Sequence, residues 1–451
     1  MNIDTYTMTE SLGQRRSRIF KLAFPAILEM CLHMFVWIVD TMFIGRLGAQ
    51  ALSAVGLGSN TYFTTTWILG GIATGTVALV ARHYGAGDLE RCQRYAAHGL
   101  FIGLLLGVFV VIVAYPLKGW IYDIAGLEPA VKALGISYMR FIVPGAPFLL
   151  TAFVAGAALR GSGDTRTPML VWGLANVTNV LLDYVLIFGA GPFPAMGAAG
   201  AGAASLIAQV MAAVLLMLRL AGEQTPRLRV SVFSVHPVDI SLVRELVALS
   251  IPAGAETLLM DGARLVNMFL LAELGSAALA SAQVAIAAES LSFMPGFGFT
   301  IAATVLTGQH LGAGKPQEAS LDARQSTYLA LAIMSSVGAC FLLFPRSIVS
   351  LFTNAPEVVV LAAACLWVSA FMQPLMAVTE VFCGVFRGAG KTATAMWISA
   401  IGAWGLRVPM TYVAIRHAGA SLVQVWWIMV FDWLIRTLVS FFVFSRNRWA
   451  A

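Results

Sequence analysis

Residues 25–48 read PAILEMCLHMFVWIVDTMFIGRLG, and residues 252–275 read PAGAETLLMDGARLVNMFLLAELG. The two stretches share a proline, a glutamate and a final Leu-Gly at matching positions, and their numbering differs by a constant repeat offset (252 − 25 = 227). Each stretch is long enough and apolar enough to form a helix that crosses a membrane. An internal repeat of such a helix predicts two related halves of one chain.

The same repeat offset relates several shorter motifs outside these helices. It pairs HxGAG at 83–87 with HxGAG at 310–314, Pro129 with Pro356, Pro147 with Pro374, and RGxG at 160–163 with RGxG at 387–390. A repeat in one fixed register, inside a strongly apolar chain, indicates a two-lobed membrane transporter with a path between its halves.

Composition excludes an ordinary soluble domain. The chain has 451 residues, of which 59% are hydrophobic and 11% charged, whereas soluble domains carry about 25% charged residues. No alternation with a period of two is present, so an outer-membrane barrel is not expected. We predict an all-α integral membrane protein with spans near 18–45, 52–81, 95–118, 131–158, 168–189, 197–220, 243–272, 279–308, 325–345, 358–385, 394–415 and 421–445.

These twelve predicted helices form two six-helix bundles. We predict an N-terminal lobe over residues 1–220, a cytoplasmic linker over 221–242 and a C-terminal lobe over 243–451. Because each lobe has an even number of spans, the two insert with the same orientation and are related by a pseudo-twofold axis along the membrane normal.

Basic residues concentrate on one side of the predicted spans. By the positive-inside rule, this bias predicts a multi-pass protein of the inner membrane with both termini in the cytoplasm. The same bias explains the basic composition, so nucleic acid is not the expected partner. No cleavable signal peptide is recognisable, because the first apolar run continues into a full span. The opposite side carries only Arg46, Lys118, Lys132, Arg346 and Arg416.

Ionisable residues inside the spans are the candidate functional residues, because each costs at least ~2.5–3.5 kcal/mol to insert. Glu29, His33 and Asp40 lie on one face of the first span, and Asn176, Asn179 and Asp183 lie on one face of the fifth. Asp40 and Asp183 precede the ends of their helices by similar distances, so their carboxyl groups are expected at nearly the same depth.

Two carboxylates with amide and hydroxyl oxygens form a site for a hard cation. The site can bind Na⁺, through Asp40, Asn179 and Asp183, or trap a proton between the acids. Ser205, early in the sixth span, lies at a comparable depth and can add a hydroxyl. The alternative is structural: the two acids only share hydrogen bonds with Asn176 and Asn179 and fix the helices.

The second lobe does not repeat this set, since residue 267 is Asn, 406 is Leu and 410 is Met. Asp432 and Arg436 have the i, i+4 spacing of a helical ion pair, and Arg407 is also expected to pair with an acid. Ion coupling is therefore expected mainly in the first lobe. The candidates for the substrate cavity or for secondary coupling are Glu29, His33, Glu256, Arg264 and Glu380.

Other functions have weaker support. RGAGKT at 387–392 follows a membrane span rather than a strand, and Val385 stands where a phosphate-binding loop requires glycine. No catalytic constellation is recognisable, so an enzyme is not expected, nor a cofactor beyond the coupling ion. The five cysteines show neither metal-ligand spacing nor a disulfide framework.

Several segments together resemble the multidrug and toxic compound extrusion (MATE) family, in its prokaryotic branches similar to DinF and NorM. They are the first-span stretch from Pro25 to Gly48, HYGAG at 83–87, LRGSGDTRTP at 159–168, NVLLD at 179–183 and FRGAGKT at 386–392.

The resemblance implies two six-helix bundles around a V-shaped cavity, and export of amphiphilic, often cationic compounds in exchange for Na⁺ or H⁺. It assigns coupling to Asp40, Asn179, Asp183 and a sixth-span hydroxyl at Ser205, and it suggests acids in the seventh and tenth spans, where Glu256 and Glu380 lie. The protein is expected to act as a monomer, with drug-like molecules and membrane lipids as its partners.

The alternative is a flippase for lipid-linked precursors. Such a flippase would need several basic residues in its cavity, and Arg264 and Arg407 are the only candidates.

Overall fold

The computed structural model describes residues 10–222, 238–446 and 449, and every regular element in these ranges is helical. In the first half of the chain the helices are α1 (Leu12–Gly45), α2 (Ala49–Leu69), α3 (Gly71–Gly85), α4 (Leu89–Ala114), α5 (Trp120–Ile124), α6 (Pro129–Ile142), α7 (Ala146–Gly161), α8 (Arg166–Phe188) and α9 (Ala198–Ala221).

The second half continues with α10 (Ile240–Ala272), α11 (Ser276–Gly312), α12 (Pro316–Leu343), α13 (Pro345–Val349), α14 (Pro356–Gly388), α15 (Thr392–Ala400), a π-helical turn (Ile401–Arg407), α16 (Val408–Ala418) and α17 (Leu422–Ser445). Most of the predicted linker, residues 223–237, lies outside the described ranges.

The helices agree with the predicted spans. Ten helical segments in the described part of the chain are long and apolar enough to cross a membrane, and α11 is an eleventh if its two halves count as one span. Helix α10, with 33 residues, is also long enough to cross a membrane. The pairs α2–α3, α6–α7 and α15–α16 each form one candidate span. The fold is the predicted all-helical membrane fold.

The backbone confirms the internal repeat. Three turns between helices end in a glycine with positive φ in each half: Gly48 (105°), Gly87 (75°) and Gly163 (92°) in the first, and Gly275 (98°), Gly314 (69°) and Gly390 (76°) in the second. The repeat offset relates the two members of each pair. Because residues with a side chain rarely adopt this conformation, glycine is needed at both copies of each turn.

Small residues set the distances between helices within the first half. A Cβ atom on Gly107 of α4 would lie 2.3 Å from the Cα of Pro147, and one on Gly103 would lie 3.1 Å from a methyl group of Val154. Helix α4 therefore packs against α7 through its glycine ridge, as the spacing of Gly99, Gly103 and Gly107 predicts.

Close packing divides the chain into two units. One contains the described residues up to Ile27 together with those from Ala255 onward, and the other runs from Leu28 to Gly254. The predicted lobes have their boundary in the linker instead. The first half of α1 therefore packs with the C-terminal helices, and the first half of α10 packs with the N-terminal helices. The sequence repeat itself follows the predicted lobes.

Two glycines explain the exchange. A Cβ atom on Gly71 of α3 would lie 2.6 Å from the backbone nitrogen of Gly254 in α10. A Cβ atom on Gly298 of α11 would lie 2.3 Å from the side chain of Ile27 in α1. The repeat offset relates position 71 to position 298 and position 27 to position 254, so the repeat places one equivalent contact in each unit.

Candidate functional site

Two helices of the unit formed by residues 28–254 carry the predicted coupling site. Asn176, Asn179 and Asp183 are all buried on one face of α8, and Asp183 is only 1% exposed. Asp40 lies in the last third of α1 and is half-buried. Its buried oxygen Oδ1 places the functional end of this side chain inside the protein.

The structure brings Asp40 and Asp183 together. Their carboxyl groups lie within hydrogen-bonding reach of each other, as the comparison of their depths predicts. Oδ1 of Asp40 and both side-chain oxygens of Asp183 are buried and accept no hydrogen bond from the described residues. Two ionised carboxylates repel each other at this distance, so the arrangement needs one proton or one cation between them.

The amides of Asn176 and Asn179 complete this polar set on α8. The Nδ2 atom of each is buried, and no described residue accepts its hydrogen bond. The orientation of an amide is assigned from its hydrogen bonds, and a rotated amide would present an oxygen instead. Carboxylate and amide oxygens are the donors that a hard cation such as Na⁺ prefers, so the residues fit either Na⁺ or a proton.

Tyr138 of α6 is a member of the site that sequence reasoning missed. It is 3% exposed, and the charges of Asp40 and Asp183 both act on its phenol. Two further buried tyrosines lie near it: Tyr62 donates a hydrogen bond to Gln209 (2.8 Å), and Tyr122 donates one to the carbonyl of Ala54 (3.0 Å). A single tyrosine in an apolar helix gives no sequence signal for such a role.

Ser205 is placed less favourably than the sequence suggests. It lies on α9 and is half-buried, and no described hydrogen bond joins it to the two acids. The small residues beside it serve packing: a Cβ atom on Gly202 would lie 2.5 Å from the carbonyl oxygen of Tyr138. Helix α9 therefore positions Tyr138, whereas a role for Ser205 in coupling stays a prediction.

Glu29 and His33 lie on the same α1 face as Asp40 but have other partners. Arg160 Nη1 donates to Glu29 Oε1 at 3.2 Å, and the carboxylate side chain is 4% exposed. The ring of His33 stacks edge-on against Trp172, with centroids 4.9 Å apart. Glu29 thus has a fixed counter-charge, which the acid pair at Asp40 lacks.

The second half repeats the Glu29–Arg160 pair. Arg387 Nη2 donates to Glu256 Oε1 at 2.8 Å, and the hydroxyl of Ser399 donates to the same oxygen at 2.7 Å. Glu256 and Arg387 are the residues that the repeat offset assigns to Glu29 and Arg160. The duplicated RGxG motif therefore supplies one buried arginine to each half, a pairing that sequence reasoning did not draw from the repeat.

The remaining second-half candidates also lie near charged partners. Arg264 pairs with Asp261 at 3.1 Å, with most of its side chain exposed. Arg436 pairs with Asp432 at 2.7 Å, which confirms the predicted helical ion pair, and Arg407 pairs with the same acid at 2.6 Å. The positive charges of Arg387 and Arg436 and the negative charge of Glu256 all act on the carboxyl group of Glu380.

The acid pair is not part of a larger cluster of acidic or metal-binding side chains among the described residues. In the described part of the chain, no group of three or more His, Cys, Asp or Glu side chains could hold a metal ion. An all-helical chain with repeated membrane spans and a buried acid pair is typical of a membrane transporter.

Comparison with known proteins gives the family. The sequence profile described as MatE matches residues 25–185 and 252–413, the two copies of the repeat. These segments make up more than half of the 451 residues, so the chain belongs to the MatE family of transporters.

Similar proteins agree with this assignment. The chain is 29% identical to a probable multidrug resistance protein NorM of Thermotoga maritima, over 98% of this chain and 95% of that one. It is 26% identical to the multidrug resistance protein MdtK of Proteus mirabilis, over 90% and 89%. A multidrug resistance MATE family transporter in an outward-facing conformation has the same fold, with a TM-score of 0.89, 22% identity and coverage of 96% and 97%.

Proposed function

We propose that the protein is a cation-coupled antiporter that exports amphiphilic, often cationic compounds. The approach of Asp40 to Asp183 carries this proposal, because two buried acids at hydrogen-bonding distance require one exchangeable positive charge. The relatives named for multidrug resistance support a drug-like substrate. The coupling ion is a proton or Na⁺.

Coupling requires only that the cation and the drug stabilise different conformations of the protein. With a cation between the acids, α1 and α8 are held together. Without it, the two carboxylates repel each other and the α1–α8 contact weakens. Binding of the cation favours release of the drug to the outside, and return of the cation to the cytoplasm resets the transporter. Both termini then lie in the cytoplasm, and the protein acts as a monomer in the inner membrane.

A flippase for lipid-linked precursors has less support. A pyrophosphate headgroup needs cationic side chains that are available to it. Arg407 is bonded to Asp432 and Arg264 to Asp261, so the two candidates already have carboxylate partners. Arg160 and Arg387 are likewise paired with acids.

The test is ethidium efflux from proteoliposomes under a Na⁺ gradient and, separately, under a pH gradient. One gradient is expected to drive efflux by the wild type, and Asp40→Asn is expected to lose that dependence. Asp123→Asn is the matched control, because Asp123 lies in the same unit, is half-exposed and pairs with Lys132 at the surface. Efflux by Asp40→Asn at the wild-type rate and gradient dependence would exclude Asp40 as the coupling residue.

A further inference from the structure

The start of helix α10 is tied to helix α4 by two side chains. Asp239 directly precedes α10, and its Oδ1 accepts hydrogen bonds from the backbone N–H (3.0 Å) and the hydroxyl (2.6 Å) of Ser241. Arg94 of α4 donates to Oδ2 of Asp239 at 2.8 Å. One turn further along α4, the ring of His98 accepts a hydrogen bond from the backbone N–H of Asp239 at 3.1 Å. Helix α4 therefore holds the residue at which α10 begins.

The partners of His98 determine where its proton lies. Nδ1 lies 2.7 Å from the carbonyl oxygen of Arg94, and Nε2 lies 3.1 Å from the backbone nitrogen of Asp239. A carbonyl oxygen can only accept a hydrogen bond, and a backbone N–H can only donate one. Nδ1 therefore carries the proton and Nε2 offers its lone pair. The imidazole, which is 2% exposed, is neutral in this arrangement.

Protonation of His98 would break its contact with Asp239. An imidazolium has a hydrogen on both nitrogens, so Nε2–H would face the backbone N–H of Asp239 and neither group could accept. The carboxylate of Asp239 offers no simple replacement, because Ser241 occupies one oxygen and Arg94 the other. Histidine changes its charge between about pH 5 and 8, so this contact can respond to pH in the physiological range.

The surroundings of His98 contain other charged and titratable groups. They are Arg91, Arg94 and Tyr95 on α4, Arg82 and His83 on α3, Arg160 on α7, and Asp239, Arg244 and Glu245 at the start of α10. Tyr95 donates a hydrogen bond to Glu245, and the ring of His83 stacks on Tyr95 with centroids 5.0 Å apart. Arg160 is paired with Glu29. Both acids at the start of α10 already have a partner, so a charged His98 would have to compete for them.

The other half of the chain has the same link without a titratable group. The repeat offset relates His98 to Gln325 of α12 (325 − 98 = 227). Oε1 of Gln325 accepts a hydrogen bond from Nε of Arg16, near the start of α1, at 2.8 Å. This position thus holds the start of α10 in one unit and the start of α1 in the other. A glutamine amide does not titrate, so only the copy with His98 can respond to pH.

We propose that His98 is a pH-dependent clasp, which holds the start of α10 on α4 when it is neutral and releases it when it is protonated. After release, the first turn of α10 keeps the ion pair of Arg94 and Asp239, whose side chains are 42% and 30% exposed. Pairs as exposed as this one stabilise little. The mobility of this turn therefore follows the pH on the side of the membrane where the predicted linker lies. The clasp does not depend on the proposed antiport or on its coupling ion.

Nitrogen NMR of the full-length protein with ¹⁵N-labelled histidine tests the protonation of the clasp. The chain has six histidines, and the signal of His98 is the one that is absent from a folded His98→Gln or His98→Asn variant. At about pH 8 this signal is expected to show the Nδ1–H tautomer, and at about pH 5.5 the imidazolium. An Nε2–H tautomer at the higher pH, or a ring that stays neutral at the lower pH, would overturn the proposal.

Hydrogen exchange of the reconstituted protein tests the release. The peptide that begins at Asp239 is compared between the wild type and His98→Gln at the same pH, which cancels the effect of pH on the chemistry of exchange. Both proteins are expected to exchange alike at about pH 8. At about pH 5.5 the wild type is expected to exchange several-fold faster, because the glutamine oxygen can still accept from Asp239.

The start of α1, which Gln325 holds in both proteins, is the internal control and is expected to exchange alike in the two at either pH. Equal exchange at the start of α10 at the lower pH, in a wild type whose His98 signal shows the imidazolium, would contradict the clasp. Gradient-driven efflux of ethidium plays no part in these measurements, so failure of the antiport would leave this proposal in place.

Discussion

At the scale of single residues, the acids in the spans fall into two groups. Glu29 and Glu256 each have a permanent counter-charge, Arg160 or Arg387, within hydrogen-bonding distance. Asp40 and Asp183 lie close together, and no described side chain donates a hydrogen bond to Oδ1 of Asp40 or to either oxygen of Asp183. Acids of the first group hold helices together, whereas the two facing carboxyl groups of the second group form the proposed cation site. The paired glutamates are therefore poorer candidates for coupling than their positions in the sequence suggest.

The Glu29–Arg160 pair gives an asymmetric prediction. Glu29→Gln leaves a guanidinium that cannot lose its charge, and breaking a buried pair in this way costs about 3–5 kcal/mol. Arg160→Met leaves a carboxyl group that can become neutral by binding a proton, so it is expected to cost less. Thermal unfolding of the purified variants measures the order.

The double variant Glu29→Gln/Arg160→Met serves as the control for this pair. It contains no unpaired charge, so it is expected to unfold at a higher temperature than Glu29→Gln alone. A double variant that is as unstable as the sum of the two single changes would show that the two side chains do not act as a pair.

At the scale of elements, glycines determine where charged side chains can enter a helix interface. The π-helical turn Ile401–Arg407 faces the Asp432–Arg436 pair of α17, and a Cβ atom on Gly402 would lie 2.1 Å from Nε of Arg436. Such turns are often found at functional sites. Here the turn brings Arg407 to Asp432 while Gly402 leaves room for Arg436.

Gly402→Ala is therefore expected to destabilise the protein by about 1–3 kcal/mol, through overpacking against the ion pair. Gly405 lies in the same turn, where a Cβ atom would meet only a methyl group of Ile401 at 3.7 Å. Gly405→Ala is the matched control and should unfold near the wild-type temperature. Equal melting temperatures for the two variants would contradict the close contact at Gly402.

At the scale of the whole molecule, the repeat preserves the helical framework but not the ion chemistry. Turn glycines, the Glu–Arg pairs and the contacts of Gly71 and Gly298 all recur at the repeat offset. The acid pair does not, because Asn267 replaces the repeat equivalent of Asp40. Each half has kept its frame and has acquired a different distribution of buried charge.

The exchanged first halves of α1 and α10 lead to a prediction for both units. Gly71→Ala and Gly298→Ala each place a methyl group against another helix, at 2.6 and 2.3 Å, and are expected to lower the melting temperature. Gly56→Ala on α2 meets nothing within 4 Å and is expected to be neutral or slightly stabilising. If Gly71→Ala and Gly298→Ala behaved like Gly56→Ala, the exchange would be incorrect.

The sequence was sufficient to predict the helical framework and the acid pair, because both follow from regular spacing. Apolar runs, the repeat and the i, i+3, i+7 pattern of Asn176, Asn179 and Asp183 need no knowledge of packing. The exchange of half-helices and the place of Tyr138 depend on which helices pack together. A single residue in an apolar run carries no such information.

The most direct test of the central claim, one cation shared by Asp40 and Asp183, is a double-mutant cycle of gradient-driven ethidium efflux. The rate is compared among the wild type, Asp40→Asn, Asp183→Asn and the double variant in proteoliposomes. If one cation needs both carboxyl groups, each single change removes the gradient dependence as fully as the double change does. Single variants that each keep part of the dependence, with losses that multiply in the double variant, would show two independent acids and contradict a shared site.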